Sequence, residues 1–305
     1  MKRDATYSEI IGPEEFNRIN TEEHLYIKSA DTIIKTIIAQ RVHEADRILE
    51  VVELGCGPAR LLPRIGEVDR IRLVGVDHDE KFVSYAQDRV RGTSLDVRLD
   101  DIISYTHEKP VDIFYSQGVH HHMAKPPTEY LQNVASQLNP GSIFILSDEF
   151  LPEYKTEEER RVRATIWYAH IIDHALRYGY SYLAQEEAKT FLDELNTEID
   201  ETRVKTPQQI ELVLRSVRGI EAAVRKKDVK MAEQFATLFL CNLEKIYSWM
   251  QQEDPTINLS RGDYKICDTV FREEVKQAGL RVIMRRTVGP IDSIGAMGIY
   301  ILEKE

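Results

Sequence analysis

Glu53-Leu54-Gly55-Cys56-Gly57-Pro58-Ala59 is the stretch that decides the fold. It follows a β-branched run, residues 48–54, and precedes a helix-compatible stretch that starts near Pro58, where a missing N–H is no loss. Two glycines one residue apart allow a tight turn and let a ligand approach the backbone. Dinucleotide sites need a third glycine where this chain has Arg60, and that bulk argues against a pyrophosphate on a helix N-terminus. A carboxylate at Glu53, two residues before Gly55, suits a ligand that carries an ammonium group and no phosphate.

Outward from this loop the chain alternates strand with helix. Residues 71–77 predict a second strand, and 80–91 a helix stopped by Gly92. Strands are expected at 95–99, 111–115 and 142–148, with a helix over 127–138 and a turn at Pro140-Gly141. A helix over 263–277 and strands over 281–287 and 296–302 close the chain. Such alternation points to a parallel, doubly wound sheet. Residues 1–46 read as a helical segment, with Ile33, Ile34, Ile37 and Ile38 as its apolar stripe. Between the fifth and sixth strands, residues 153–262 read as an all-helical insertion. The expected organisation is therefore 1–46, a sheet domain of 47–152 with 263–305, and the insertion.

Composition narrows the function classes. The 305 residues are 42% hydrophobic, enough for a sizeable core and too many for a disordered chain. A formal net charge of -11 disfavours a non-specific nucleic-acid binder, so no nucleic-acid partner is expected. No apolar signal region and no membrane-length apolar run stands out, so no membrane partner is expected either. Cys56, Cys241 and Cys267 form no CxxC pair. The expectation is a reduced, cytoplasmic protein.

The glycine loop and the strands on either side of it resemble the class I S-adenosylmethionine-dependent methyltransferases, of the small-molecule type. Their first motif, an acidic residue then x-G-x-G-x-G, stands here as Glu53, Gly55, Gly57 and Ala59. The resemblance covers 47–150 and 263–305 and leaves the insertion outside it. It implies a seven-stranded, mostly parallel sheet of order 3-2-1-4-5-7-6 with the last strand antiparallel, and S-adenosyl-L-methionine as cofactor. Asp77, 20 residues beyond Gly57, would take the ribose hydroxyls. Asp100 and Asp101 would lie near the adenine amino group, with Ile102 on the ring. Ser116, Gln117 and Gly118 would flank the methionine moiety, and Cys56 and His78 complete the expected cofactor set.

The acceptor side is read from residue types. His120-His121-His122 follows the fourth strand, and adjacent side chains cannot all enter one pocket. His121 or His122 can act as a base, with Glu149 beside them, or can simply order the loop. A metal would need His120 or His122 to converge with Asp148 or Glu149, and no spacing demands it, so no metal is assigned. Asp148 and Glu149 end the fifth strand, where α/β sheets bind ligands. In the insertion Tyr168, His170 and Tyr178 suit a pocket wall, although most stripes of this kind are core. The expected activity is methyl transfer to oxygen or nitrogen, less so carbon, of a small-molecule acceptor under a helical lid. Methylation of a peptide or protein side chain is the alternative enzyme. A non-catalytic cofactor-binding partner, dimerising through residues 207–251, is the alternative of another class.

Overall fold

A computed structural model describes residues 8, 12–22, 26–123, 127–157, 159, 160, 163, 167 and 264–305. The helices are α1 (Pro13–Glu22), α2 (Ile27–Glu44), α3 (Leu62–Ile65), α4 (Glu80–Val90), α5 (Thr128–Gln137) and α6 (Asp268–Gln277). The strands are β1 (Leu49–Leu54), β2 (Ile71–Asp77), β3 (Asp96–Leu99), β4 (Val111–Gln117), β5 (Leu138–Phe150), β6 (Leu280–Val288) and β7 (Ala296–Lys304).

The strands form one seven-stranded sheet in the order β3-β2-β1-β4-β5-β7-β6. Pairing is parallel from β3 to β5, while β7 runs antiparallel to both β5 and β6. The expected topology is therefore the one observed. Side chains alternate across the sheet as the period of two requires. Val51, Ile113 and Ile145 face a core shared with Ile34 and Ile38 of α2, Leu62 of α3 and Val83 of α4. Val52, Phe114 and Phe144 face the opposite core, shared with Leu131 of α5 and Phe271 of α6. Burial on both faces is why these strands read as continuous apolar runs.

Two local expectations change. The helix after the glycine loop is a single turn, α3, which begins four residues beyond Pro58. Gly57 and Ala59, at φ +51° and +55°, hold the intervening chain out of the right-handed helical region. The expected turn at Pro140-Gly141 lies within β5, whose pairing with β4 shifts register between Val111 and Ile113.

Strand order reverses between β1 and β4, since β2 and β3 lie on one side of β1 and β4 to β6 on the other. That switch point is where a doubly wound sheet opens a crevice beyond its carboxyl ends. The chain also leaves and re-enters the sheet domain at this edge. Phe150 bridges Ile266 in parallel, Leu151 N–H donates to the Ile266 carbonyl at 2.9 Å, and Tyr264 N–H donates to the His121 carbonyl at 2.8 Å.

Candidate active site

The glycine loop after β1 and the Gln117-Gly118 turn after β4 flank the switch-point crevice. Gly55 is at φ +71°, and a Cβ there would stand 2.4 Å from Val119 Cγ2. This glycine is needed for packing. Gly57 and Gly118 also have positive φ, but a Cβ at either meets no heavy atom within 4 Å among the described residues. Their missing side chains leave room at the cleft for a ligand. Cys56, between the two loop glycines, is buried, and its sulfur packs against Gly75 of β2.

Asp77, at the end of β2, closes the floor of this loop. Its Oδ2 accepts from Gly57 N–H at 2.7 Å and its Oδ1 from Asp79 N–H at 2.9 Å. Burial raises its pKa, and the neighbouring His78 works against that rise. Asp79 caps α4 by accepting from the N–H groups of Lys81 and Phe82. His78 is exposed beside it. Asp100 and Asp101 are exposed after β3, and the Asp100 carboxylate accepts from Asp101 N–H at 2.8 Å. Ile102 is buried behind them.

Glu53 is buried at the end of β1 and accepts from the Tyr115 hydroxyl at 2.9 Å. Burial pushes its carboxyl up to about 8, against the pull of Tyr115 and of the Arg60 charge. A carboxyl in that condition is set to ionise when a cation arrives.

The acceptor-side residues form two buried pairs. His120-His121-His122 is a short 3-10 turn. The Asp148 carboxylate accepts from His120 N–H at 2.6 Å, from His121 N–H at 3.3 Å and from Glu149 N–H at 2.6 Å, and it pairs with His121 Nδ1. Burial would raise the Asp148 carboxyl, but the His121 charge and hydrogen bond outweigh it and hold it below the usual carboxylate range. The His122 ring lies 3.9 Å from that of His121, between centroids. His120 turns away, its Nε2 2.9 Å from Glu274 Oε2 of α6. Glu149 Oε2 meets Lys265 Nζ at 2.9 Å and accepts from Trp167 Nε1 at 3.2 Å.

The ends of β4 and β5 thus bring together His121, His122 and Asp148, while the Glu149 side chain, one residue on in the strand, meets Lys265 and Trp167 instead. Asp148 commits its oxygens to the turn and His121, which makes it a holder of the histidine. Tyr168, His170 and Tyr178 lie outside the described residues. Among the described residues no three His, Cys, Asp or Glu side chains group to hold a metal, and no helix is long and apolar enough to cross a membrane. Sequence reasoning missed Lys265 and Trp167, since contacts between the two ends of an insertion leave no local pattern.

S-adenosylmethionine fits these residues. The open Cβ positions of Gly57 and Gly118 provide a cradle, Asp77 offers a carboxylate, and Gln117 Nε2 is buried with no hydrogen-bond partner among the described residues. Comparison with known proteins agrees. Residues 51–141 match the family model described as a methyltransferase domain. Magnesium protoporphyrin IX methyltransferase from Synechocystis PCC 6803, solved with bound SAH, is 12% identical with a TM-score of 0.50, covering 98% of this chain and 97% of that one. PKMT2 from Rickettsia typhi is 12% identical with a TM-score of 0.51, covering all of this chain and 55% of that one. The mitomycin 7-O-methyltransferase MmcR is 12% identical with a TM-score of 0.46, over 96% of this chain and 57% of its own. The chain thus spans just over half the length of two of these three, and at such identity the likenesses concern the fold. No curated protein matches the chain significantly. Residues 51–141 thus match a methyltransferase domain, and the sheet order around them is that of the class I, Rossmann-like methyltransferase fold.

Proposed function

We propose that the protein methylates an oxygen or nitrogen atom of a small-molecule acceptor, with residues 153–262 covering the acceptor. The observation that carries this reading is the His121–Asp148 pair, buried at the carboxyl ends of β4 and β5. The bound cofactor supplies a methyl already activated on a sulfonium. The chain's part is to align the acceptor, to exclude water and to take a proton. Asp77 holds the ribose hydroxyls, Glu53 the ammonium group, and Asp101 with Ile102 the adenine. Asp148 fixes the His121 ring, and His121 or His122 takes the proton that leaves an O–H or N–H acceptor. A base of this kind contributes about 10²–10⁴-fold. Glu149 is held by Lys265 and Trp167, where the insertion joins the sheet. Tyr168, His170 and Tyr178 are proposed to face the acceptor from the insertion. Both ends of that segment are tied to the ligand edge of the sheet, which supports its role as a cover.

The test is to incubate the protein with methyl-labelled cofactor and a cell extract, then separate small molecules from macromolecules. Label in the small-molecule fraction is expected. Label in the protein fraction alone would replace the acceptor class, and label in neither would remove the catalytic reading.

A further inference from the structure

The N-terminal part of the chain touches both flanks of the switch-point crevice. On the β2 flank the Ser8 hydroxyl donates to the Asp79 carboxylate, 2.8 Å from Oδ1 and 2.7 Å from Oδ2. Asp79 gives its own N–H to Asp77, so Ser8 is anchored on the direct neighbour of the carboxylate assigned to the ribose. Next along the chain, α1 lies on α4, with the rings of Phe16 and Phe82 4.9 Å apart. Arg89 of α4 joins it to the glycine loop, since NH1 donates to Asn17 Oδ1 at 2.7 Å and to the Pro58 carbonyl at 2.9 Å. On the β5–β7 flank the Tyr26 ring stacks on Trp167, with centroids 6.3 Å apart. The same ring fills the space beside Gly289, where a Cβ would stand 2.6 Å from Tyr26 Cζ. In the sheet order β1 and β4, which open the crevice, lie between these two flanks.

The two helices of this stretch are held very differently. α2 buries Ile27, Ala30, Asp31, Ile34, Ile38 and Val42. Its Asp31 accepts from Arg60 NH2 at 2.8 Å and from Arg64 NH1 at 2.7 Å, which fastens α2 to the chain beyond the glycine loop. α1 buries only Asn20 among its described side chains. An element with so few buried groups opens at far lower cost than one set in the core. Between the helices Tyr26 has φ +67°, a left-handed backbone that a bulky residue adopts only where its surroundings impose it. A fixed helix, a strained joint and a loosely seated helix, in that order, make a hinge.

We propose that Ser8, α1 and Tyr26 form a strap that gates exchange of the cofactor and its demethylated product, swinging at Tyr26 while α2 stays in place. The proposal rests on the cofactor reading above. The Ser8–Asp79 bond is the latch at one end. At the other, Tyr26 on Trp167 ties the strap to the insertion. A strap that must swing before a ligand enters or leaves limits both steps alike. Loosening it speeds association and dissociation by the same factor and leaves their ratio, the affinity, unchanged.

The test measures S-adenosylhomocysteine binding to the immobilised full chain by surface plasmon resonance, for wild type, Ser8→Ala, Ser8→Asp and Tyr26→Ala, with a thermal melt of each. Ser8→Asp sets a second carboxylate against Asp79 and forces the latch open. Ser8→Ala removes only the latch hydroxyl, leaves Asp79 to cap α4, and guards against a variant that fails to fold. Both rate constants are expected to rise together, threefold or more in Ser8→Ala and tenfold or more in each other variant that folds, with Kd within twofold of wild type. Unchanged rates in the Ser8 variants, or faster dissociation with association unchanged, would overturn the proposal and leave the cofactor site standing. Wild type that binds no S-adenosylhomocysteine would overturn the cofactor reading and this proposal with it.

Discussion

The Gly57 amide donates to Asp77 Oδ2 at 2.7 Å, so the carboxylate that ends β2 also pins the turn that ends β1. Asp77 therefore has a structural duty before any ligand arrives. Removing it leaves the Gly57 and Asp79 N–H groups without their acceptor. A buried donor left unsatisfied costs about 1–3 kcal/mol. Asp77→Ala is expected to melt below wild type in the absence of ligand, with Asp77→Asn between the two because its amide oxygen can keep one of the two bonds. Differential scanning calorimetry on ligand-free protein reads this directly.

Glu53 makes stability depend on pH in a defined window. Its folded carboxyl ionises near 8, well above the ordinary carboxylate range. Below about pH 4.3 both folded and unfolded forms hold the proton, so no penalty exists. Between there and 8 the unfolded chain releases a proton that the folded one retains. Stability then falls as pH rises, with a limiting slope of about 1.4 kcal/mol per pH unit. Glu53→Gln keeps an acceptor for the Tyr115 hydroxyl and removes the titration. The variant should match wild type in thermal stability near pH 4 and exceed it near pH 8. A gap that does not widen with pH would dismiss the shifted carboxyl.

The two glycines of the loop should separate packing from binding. Alanine at either position costs about 1–2 kcal/mol for a left-handed backbone. Gly55→Ala must also displace Val119, whereas a methyl at Gly57 meets nothing among the described residues. Gly55→Ala is therefore expected to lower the melting temperature more. Gly57→Ala should remain the more stable variant and still lose cofactor affinity, because its methyl projects into the cradle. Melting curves and ligand titrations on the same two variants check both halves.

The strands, the helices and the carboxylates Glu53 and Asp77 were legible because each rests on a local signal, whereas the sheet order came with the family resemblance. Apolar runs of strand length end in glycine or in Asp77, and helices such as α4 begin at a capping residue, Asp79. What sequence could not show is pairing across distance. Asp31 reads as one polar residue in a helix, yet it is buried 29 residues before its partner Arg60. Arg60 reads only as bulk that argues against a dinucleotide site, and no local pattern marks its pairing with Asp31. Lys265 sits just inside the boundary placed at 263, where nothing nearby marks it as the partner of Glu149.

Asp148 tests the acceptor side. Its ionised form is favoured in the fold, so its contribution to stability is present above the ordinary carboxylate value and is lost as pH falls through the lower folded one. Breaking a buried pair of this sort costs about 3–5 kcal/mol. Asp148→Ala is expected to show that loss in denaturant unfolding at pH 7 and a much smaller one near pH 2. An equal loss at both values would mean that packing, and not the charge on Asp148, holds the histidine turn.

The most direct measurement is a calorimetric titration of wild type and Asp77→Ala with S-adenosylhomocysteine, at a temperature where both are folded. The cleft between β1 and β4 should bind one equivalent in wild type. Loss of the carboxylate should weaken binding by about tenfold or more, the scale of a charged hydrogen bond. An Asp77→Ala affinity equal to wild type, or wild type that binds no S-adenosylhomocysteine at millimolar concentration, would contradict the account.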